Sequence, residues 1–328
     1  MSNYVLYFGG ENIFLTDVKA NINNTYTTKS FVQSEYNGII NGEFADPGEI
    51  PGIIAKLVSE IKAPKQGAIS IGVPSCFCSV VLKHEVQTYA KPQKITAKVI
   101  DGMLNGGMVA YYKLDGGAPM LDVSGQSATK IEAQVSHLTI DPKFLSAIGD
   151  CLTIKNYKIK YIPVMTAEAK YLIDTYVRDR TCVLISCKLT DTSVAVIVGD
   201  QTVALETFDM GTAHIINEIS LVKKVNYTTA RKMFERFDKA DRDKIGGIIG
   251  TRLDDMAEQI QSIVYLFDKD LIKRPIYTCG GYTDALGGAI TAMNAKLGCA
   301  IIPCACPFKE TNPPDVVSRD AVIIESLK

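Results

Sequence analysis

Three strand-like runs close together in the second half of the chain limit its fold more than any other feature. They are Thr181–Ser186, Ser193–Val198 and Thr202–Phe208, with Gly199-Asp200 as a hairpin turn between the last two. A two-residue glycine-containing turn between apolar runs is typical of antiparallel hairpins. A helix-like stretch, Thr212–Val225, follows the third run. This part of the chain therefore predicts a group of paired strands with a helix packed on it.

A similar order opens the chain. Tyr4–Phe8 predicts a strand that ends at Gly9-Gly10, Ile13–Leu15 predicts a second, and Pro47–Lys62 has apolar residues at helical spacing. A further short apolar run, Ala68–Val73, predicts another strand. Strand groups followed by helices thus occur twice, which predicts two α/β domains with a cleft between them. The length of 328 residues agrees with about two domains.

Composition narrows the class of protein. A net charge of −1 gives no reason to expect nucleic acid or an anionic membrane as the main partner. No run of eighteen apolar residues occurs, and Met1-Ser-Asn-Tyr does not begin a signal peptide. The nine cysteines are typical of reduced cytosolic thiols, and the pairs Cys76/Cys78 and Cys304/Cys306 are too closely spaced for an ordinary zinc site. We expect a cytoplasmic protein without a bound metal.

The pattern changes between Pro74 and about residue 156. The elements predicted there are an exposed strand, a helix, two strands around a glycine-rich connection and a second helix: Cys76–Gln87, Lys94–Leu104, Tyr111–Leu114, Lys130–Leu138 and Pro142–Ile148. Together they predict a small α+β insertion. The elements predicted after it, besides the three strands above, are Ile159–Val164, Thr166–Tyr176, Thr228–Phe237, Ile249–Phe267, Pro275–Cys279, Gly288–Leu297, Ala300–Pro303 and Ser318–Leu327.

Four stretches, in this order and spacing, resemble bacterial FtsA, an actin-like protein of cell division. They are Tyr112-Lys-Leu-Asp115 with Pro119-Met120, Val123-Ser-Gly125 and Ala133-Gln-Val135; Phe208-Asp-Met-Gly211-Thr212; Thr278-Cys-Gly280-Gly281 with Gly287; and Ser318-Arg-Asp-Ala-Val322. The first is similar to the extended loop and strand of the subdomain peculiar to that family. The second is similar to a glycine turn and helix that follow the third strand of the second lobe.

The resemblance implies an α/β fold of the actin type, shared with Hsp70 and hexokinase: two lobes and an FtsA-type α+β insertion subdomain. On this basis the first lobe core comprises residues 1–73 and 157–180 with a C-terminal helix at 315–328. The insertion comprises residues 74–156. The second lobe core comprises residues 181–210 and 274–314, and residues 211–273 form a reduced upper subdomain.

The resemblance also implies a cleft for ATP and Mg²⁺, which requires two phosphate loops rich in glycine and aspartate. Tyr7 stands where the first loop has an aspartate. Ser186 stands where the second has one, and Lys188, Leu189 and Thr190 replace its glycines. Two adjacent glycines at Gly280-Gly281 lie where the family's backbone passes under the adenosine. The nucleotide cleft is therefore predicted to be vestigial, comprising Gly9, Gly10, Gly211, Gly280 and Gly281, with no cofactor and no catalytic residue.

Two interpretations of the altered loops compete. Asp191 and Glu11 could bind Mg²⁺ from shifted positions while Lys188 neutralises a phosphate, which would keep ATP with Mg as the cofactor. Alternatively, these are solvated turn residues, which the simultaneous change of both loops favours. The other polar groups carry no catalytic pattern: the histidines are isolated, and the basic residues around Arg231 indicate a solvated face.

The predicted function is a scaffold of bacterial cell division that acts by protein contacts without hydrolysing ATP. Its implied contacts are self-association as an actin-like protofilament and binding of tubulin-like FtsZ or membrane division proteins, through the insertion surface at 83–97 and 111–135. The family ends in a membrane helix, whereas residues 318–327 are used by the fold, so no direct membrane anchor is expected and membrane contact would come through partners. The alternatives are an ATP-binding switch with divergent loops and a cytoplasmic platform of a type IV pilus or secretion machine.

Overall fold

The structure is a computed structural model, and the residues that it describes are 3–21, 26–36, 38–40, 42–64, 66–177, 181–198, 201–235, 242–267, 276–279, 301–303 and 316–327. The strands are β1 (Asn3–Phe8), β2 (Asn12–Ala20), β3 (Tyr26–Glu35), β4 (Ile39–Ile40), β5 (Glu43–Phe44), β6 (Gly67–Val73), β7 (Cys78–Lys94), β8 (Met108–Leu114), β9 (Ser127–Ile140), β10 (Tyr157–Pro163), β11 (Thr181–Cys187), β12 (Thr192–Val198), β13 (Gln201–Phe208), β14 (Ile276–Cys279) and β15 (Ile301–Pro303).

The helices are α1 (Glu49–Glu60), α2 (Ala97–Leu104), α3 (Pro142–Gly149), α4 (Val164–Tyr176), α5 (Thr212–Lys223), α6 (Tyr227–Glu235), α7 (Arg242–Phe267) and α8 (Val316–Ser326). Short 3₁₀ turns occur at Ser75–Phe77 and Leu152–Ile154.

Two five-stranded sheets share one topology. The first has the order β3-β2-β1-β6-β10 and the second the order β13-β12-β11-β14-β15. In each sheet three consecutive strands pair antiparallel, and the first of the three then pairs in parallel with a later strand, which pairs in parallel with a fifth. The duplicated two-lobed α/β fold predicted from the sequence is confirmed.

The central strands of both sheets are buried on both faces, which explains their nearly continuous apolar runs. In β1, Leu6 and Phe8 face α1 and α3, whereas Val5 and Tyr7 face α4 and α8. In β11 the same alternation occurs, with one face packed against α5, α6 and α7 and the other against α4. Burying both faces of a strand requires a helix layer on each side.

Helix α4 lies between the two lobes. Met165 and Leu172 pack on the second sheet, while Val164 and Ala167 pack with the first sheet and with α8. Its Lys170 forms an ion pair with Glu325 of α8, Nζ to Oε1 at 2.6 Å. Because α4 packs against neighbours on several sides, its apolar residues are not confined to one stripe. The apolar contacts of α4 join the two lobes.

The insertion is a separate three-stranded sheet, β7-β9-β8, with α2 packed on it. The turn after β8 is held by Asp115, whose Oδ1 accepts hydrogen bonds from the backbone N–H groups of Thr129 and Lys130 and from the Thr129 hydroxyl. These bonds, the hydroxyl foremost, lower the pKa of the Asp115 carboxyl. Gly125 has φ of +77°, a conformation that favours glycine, and it donates to the Ile95 carbonyl. Asp115 and Gly125, which belong to the first stretch of the sequence match, therefore form turns of this subdomain.

The described packing divides the predicted insertion 74–156 between two cores. The sheet of Cys78–Ile140 rests against β13 of the second lobe, with Ala110 buried in that lobe's core. Helix α3 packs instead under the first sheet, where the Phe144 ring lies 5.5 Å from that of Phe8 and 5.2 Å from that of Phe77. The segment after Ile140 is therefore part of the first lobe's packing.

Three local predictions were wrong. β3 was not predicted as a strand, because Thr27, Thr28 and neighbouring polar residues on this sheet edge interrupt its alternation. The helix predicted over Lys94–Leu104 begins only at Ala97, since β7 continues to Lys94. α7 begins at Arg242 rather than Ile249, because glycines in its first turns weaken the helical pattern. The predicted helix Gly288–Leu297 and the turn Gly199-Asp200 lie outside the described residues.

Candidate functional site

The two predicted phosphate loops are equivalent hairpin turns at the ends of the two sheets. Gly9 N–H donates to the Asn12 carbonyl at 2.8 Å, and Lys188 N–H donates to the Asp191 carbonyl at 2.8 Å. The strand registers match as well, since Phe8 pairs with Ile13 and Cys187 with Thr192. Gly9–Asn12 and Lys188–Asp191 therefore correspond position by position, as the sequence comparison of the two loops assumed.

The two positions that the family fills with aspartate are buried. Tyr7 is 1% exposed, and its ring packs near Phe14 with a centroid distance of 6.1 Å. The ring also lies so close to Gly72 that a Cβ there would come within 3.1 Å of it. Ser186 is fully buried in β11. Tyr7 thus contributes an aromatic ring to the core between the first sheet and α8.

Gly9 and Gly10 form the first turn, as predicted, and the residue after them connects the lobes. The guanidinium of Arg231 in α6 donates to the Glu11 carboxylate, Nη1 to Oε1 at 2.8 Å and Nη2 to Oε2 at 3.4 Å. Bidentate pairs of this kind hold both groups in a defined orientation. The basic residues around Arg231 were predicted to form a solvated face; Arg231 itself is about one-third exposed and pairs with the other lobe. Arg231 also pairs with Glu235, four residues later in α6. This spacing is typical of a pair within one helix and does not indicate a partner in the other lobe.

The second turn is buried rather than solvated, so the solvated-turn interpretation was wrong for two of its residues. Lys188 is 7% exposed and Asp191 is 3% exposed. Burial raises the pKa of the nearby Cys76 thiol, with Asp191 adding to the rise and Lys188 opposing it. The Thr190 hydroxyl donates to the Ile39 carbonyl of the first lobe at 3.4 Å. A cation, a carboxylate and a thiol therefore lie near one another where the lobes meet.

Gly211 immediately precedes α5 and packs against the second turn. A Cβ on Gly211 would lie 2.5 Å from the carbonyl oxygens of both Lys188 and Leu189, so only glycine fits. Because of this close approach, Thr212 N–H donates to the Lys188 carbonyl at 3.1 Å and Ala213 N–H donates to the Leu189 carbonyl at 2.8 Å. The first amides of a helix are its anion-binding groups, and here the turn itself accepts two of them.

His214 has a capping role that the sequence did not indicate. Its Nδ1 accepts a hydrogen bond from the Gly211 N–H at 3.0 Å, in the manner of the side chain that closes a capping box. A histidine three residues after a glycine that precedes a helix is the signal that would have predicted it.

Little space remains between the two turns. The cavity there measures about 20 Å³, which is room for about one water molecule. Its lining comprises Phe8, Gly9, Gly10, Ile39, Pro74, Cys76 and residues 188–191. Gly9 and Gly10 line this cavity, and Gly211 lies against the carbonyls of Lys188 and Leu189 in the second turn. Gly280 and Gly281 lie outside the described residues.

A larger groove lies on the first lobe, where α1 and α3 approach the β4–β5 hairpin. It has a volume of about 690 Å³. Three prolines, Pro47, Pro51 and Pro142, line it together with Phe44, Gly48 and Ala147, and its polar residues are Glu43, Lys143, Ser146 and Asp150. Lys143 pairs with Glu43 across the surface. Prolines fix their own φ angles, so three of the residues that line this groove have a restricted backbone, and charged residues line it beside the apolar ones.

Two other kinds of site are absent from the described ranges. There, no three His, Cys, Asp or Glu side chains come together in a way that could hold a metal ion. In the same part of the chain, no helix has the length and apolar character needed to cross a membrane.

Comparisons with known proteins bear on the fold. No protein-family model and no curated protein matches the chain. Solved structures do match. The PilM-PilN type IV pilus biogenesis complex matches at 13% identity with a TM-score of 0.69, and the match covers 100% of this chain and 99% of that one. The ethanolamine utilization protein EutJ from Carboxydothermus hydrogenoformans matches at 12% identity, 99% and 90% coverage and a TM-score of 0.60. MreB5 of Spiroplasma citri bound to AMPPNP matches at 9% identity with a TM-score of 0.58, and the match covers 98% of this chain and 94% of that one. At these identities the likeness shows the fold alone, and that fold is actin-like.

Proposed function

We propose that this chain is an actin-fold scaffold that acts through protein contacts and does not hydrolyse ATP. The observation that carries the proposal is the bonding of the α5 amides of Thr212 and Ala213 to the carbonyls of Lys188 and Leu189. Those amides, the turn backbone and the space between the turns are what a phosphate would need. All three are already used by the protein's own packing.

The first turn supports the same proposal. Glu11 is the carboxylate of the first turn, and its two oxygens accept from Arg231. Binding Mg²⁺ there would require breaking a bidentate ion pair between the lobes.

A nucleotide switch is the second candidate, and the burial of Lys188 and Asp191 beside Gly9 and Gly10 favours it. Calorimetry with Mg-ATP separates the two. For the scaffold we expect no heat of binding with the wild-type chain. A dissociation constant below roughly 100 µM, lost in Lys188→Ala, would overturn the scaffold proposal and establish the switch.

The setting that we propose is a cytoplasmic platform of a type IV pilus or secretion machine, held at the inner face of the membrane by its partners. Support comes from the likeness to PilM in the PilM-PilN complex, which covers nearly the whole of both chains. The FtsA-like motifs of the insertion support the alternative setting in cell division, with FtsZ or membrane division proteins as partners.

The partner segment would bind in the groove of Phe44, Pro47, Pro51 and Pro142. A short peptide suits it, because the groove is open on the surface and is lined by both apolar and charged residues. Ser146 lies exposed in this groove, whereas Ser59 lies exposed on α1 and does not line it.

The test is a pull-down with the full chain, followed by identification of captured proteins by mass spectrometry. Ser146→Arg should abolish capture of a membrane protein, and the matched control Ser59→Arg should not. A synthetic peptide of the captured protein's cytoplasmic tail should then bind wild type and Ser59→Arg but not Ser146→Arg. Capture of division proteins instead of pilus or secretion proteins would move the setting to cell division. Capture that Ser146→Arg leaves unchanged would remove the groove from the proposal.

A further inference from the structure

Strand β7 is an edge of the insertion sheet and pairs on one side only. It runs for 17 residues, from Cys78 to Lys94, and its partner is β9. Among the residues that the structure describes, none pairs with its other side. A long open strand edge presents unpaired backbone donors and acceptors and is a template for a further strand.

Two common protections of such an edge, proline and an irregularity of the strand, are confined to one end of β7. Lys91 and Pro92 lie there, within the irregular stretch between Thr88 and Gln93. The segment from residue 80 to residue 88 has no proline and no bulge, and it exposes two valines, Val81 at 48% and Val86 at 50%. Exposed β-branched residues on a regular strand edge without proline indicate a docking surface.

We propose that β7 pairs antiparallel with β7 of a second copy of this chain, about a two-fold axis beside His84. Such an axis relates identical residues, so one residue of β7 must face its own copy. With the axis at His84, Lys83 of each copy lies opposite Glu85 of the other, and Leu82 lies opposite Val86. Moving the axis to Lys83 or to Glu85 would place like charges opposite each other, which destabilises a strand pair.

The two faces of the pair also complement each other. On the α2 face, Val81 of one copy comes opposite Gln87 of the other. Gln87 borders a groove of about 530 Å³ that is lined by β7 and by Val99, Gly102 and Met103 around α2. On the opposite face, Val86 comes beside Leu82 of the other copy. Both exposed valines are thereby covered.

The pairing would join two three-stranded sheets into one of six strands. This inference does not depend on the proposed function, since it concerns neither the nucleotide cleft nor the groove at Ser146. The interface is small, so we expect a dissociation constant on the order of 10–100 µM.

Sedimentation velocity of the full chain over roughly 5–300 µM tests the proposal. Wild type should shift from monomer to dimer in this range. Lys83→Glu and Glu85→Lys should each weaken dimerisation by about tenfold or more, because each creates two like-charge pairs. The exchange variant Lys83→Glu/Glu85→Lys should restore the dimer, and mixing the two single variants should give a heterodimer.

Lys91→Glu is the matched control, because it makes the same charge change in β7 outside the paired segment and should leave the dimer unchanged. Circular dichroism and melting curves verify that each variant is folded. A chain that stays monomeric throughout overturns the proposal. So does association that is unaffected by Lys83→Glu, which would run through another surface, or a failure of the exchange variant to recover.

Discussion

Arg231 in α6 of the second lobe donates two hydrogen bonds, at 2.8 Å and 3.4 Å, to Glu11 in the first hairpin turn of the first lobe. Both side chains are about one-third exposed. The pair therefore contributes more to the relative position of the lobes than to overall stability, because partly exposed ion pairs contribute little.

Glu11→Gln should lower the free energy of unfolding by only about 0.5–1 kcal/mol but increase amide exchange across residues 8–12. Hydrogen exchange with mass spectrometry measures this. Glu218→Gln is the matched control, because Glu218 forms a 2.8 Å pair of similar exposure with Arg252 inside the second lobe. Equal exchange at residues 8–12 in both variants would show that the Glu11 pair does not hold the turn.

Gly211→Ala should destabilise the protein by about 1–3 kcal/mol or more, because its Cβ would lie 2.5 Å from two carbonyl oxygens. Gly250→Ala, the control, places a Cβ in open space on α7 and should stabilise by up to about 1 kcal/mol. Denaturant unfolding of both variants provides the comparison. A neutral Gly211→Ala would mean that the second turn and α5 can separate at little cost.

Phe144→Ala should cost about 3–5 kcal/mol, because this ring is fully buried among Phe8, Phe44 and Phe77 of the first lobe. Phe31→Ala, at a ring that is 38% exposed on β3, should cost no more than about 1–2 kcal/mol. Thermal melting measures both. Similar losses for the two variants would contradict the assignment of α3 to the first lobe's core.

Cys187 should make the protein less stable at alkaline pH. Burial raises the pKa of its thiol to about 12 from an ordinary value near 9, and Asp191 adds to the rise. The folded state therefore keeps the thiol protonated while the unfolded state loses its proton. The resulting stability is complete below pH 9 and is lost as the pH rises toward 12.

Unfolding titrations of wild type and Cys187→Ala between pH 8 and pH 12 test this expectation. The stability advantage of wild type should shrink by up to about 1.4 kcal/mol per pH unit above pH 9. Parallel pH profiles for the two proteins would show that this thiol ionises in the folded state as readily as in the unfolded one.

Much of the fold was predictable because buried strands and helices carry periodic apolar patterns. The runs Tyr4–Phe8 and Thr181–Ser186 belong to strands that are buried on both faces, and both were predicted as strands. β3 was not predicted because an exposed edge strand needs few apolar residues. The start of α7 was not predicted because glycines weaken the pattern of a helix that tertiary packing stabilises.

The candidate site was less predictable than the fold. The sequence identified both turns, with Tyr7 and Ser186 at the positions where the family it resembles has aspartates. It did not indicate that Lys188 and Asp191 are buried, since charged turn residues are usually solvated. Nor did it indicate the role of His214, because a capping bond depends on backbone geometry that residue type alone does not determine.

By itself, the sequence determined the two duplicated sheets, the distinct pattern of the insertion and the residues of the two turns, because these follow from local apolar period and residue type. Only the tertiary structure decided that Arg231 meets Glu11, 220 positions away, and that the carbonyls of Lys188 and Leu189 accept the amides of α5. The physical reason is that each of these contacts joins groups whose separation is set by the packing of whole elements. A local pattern can state which groups are present, but the packed lobes decide which of them bond to each other.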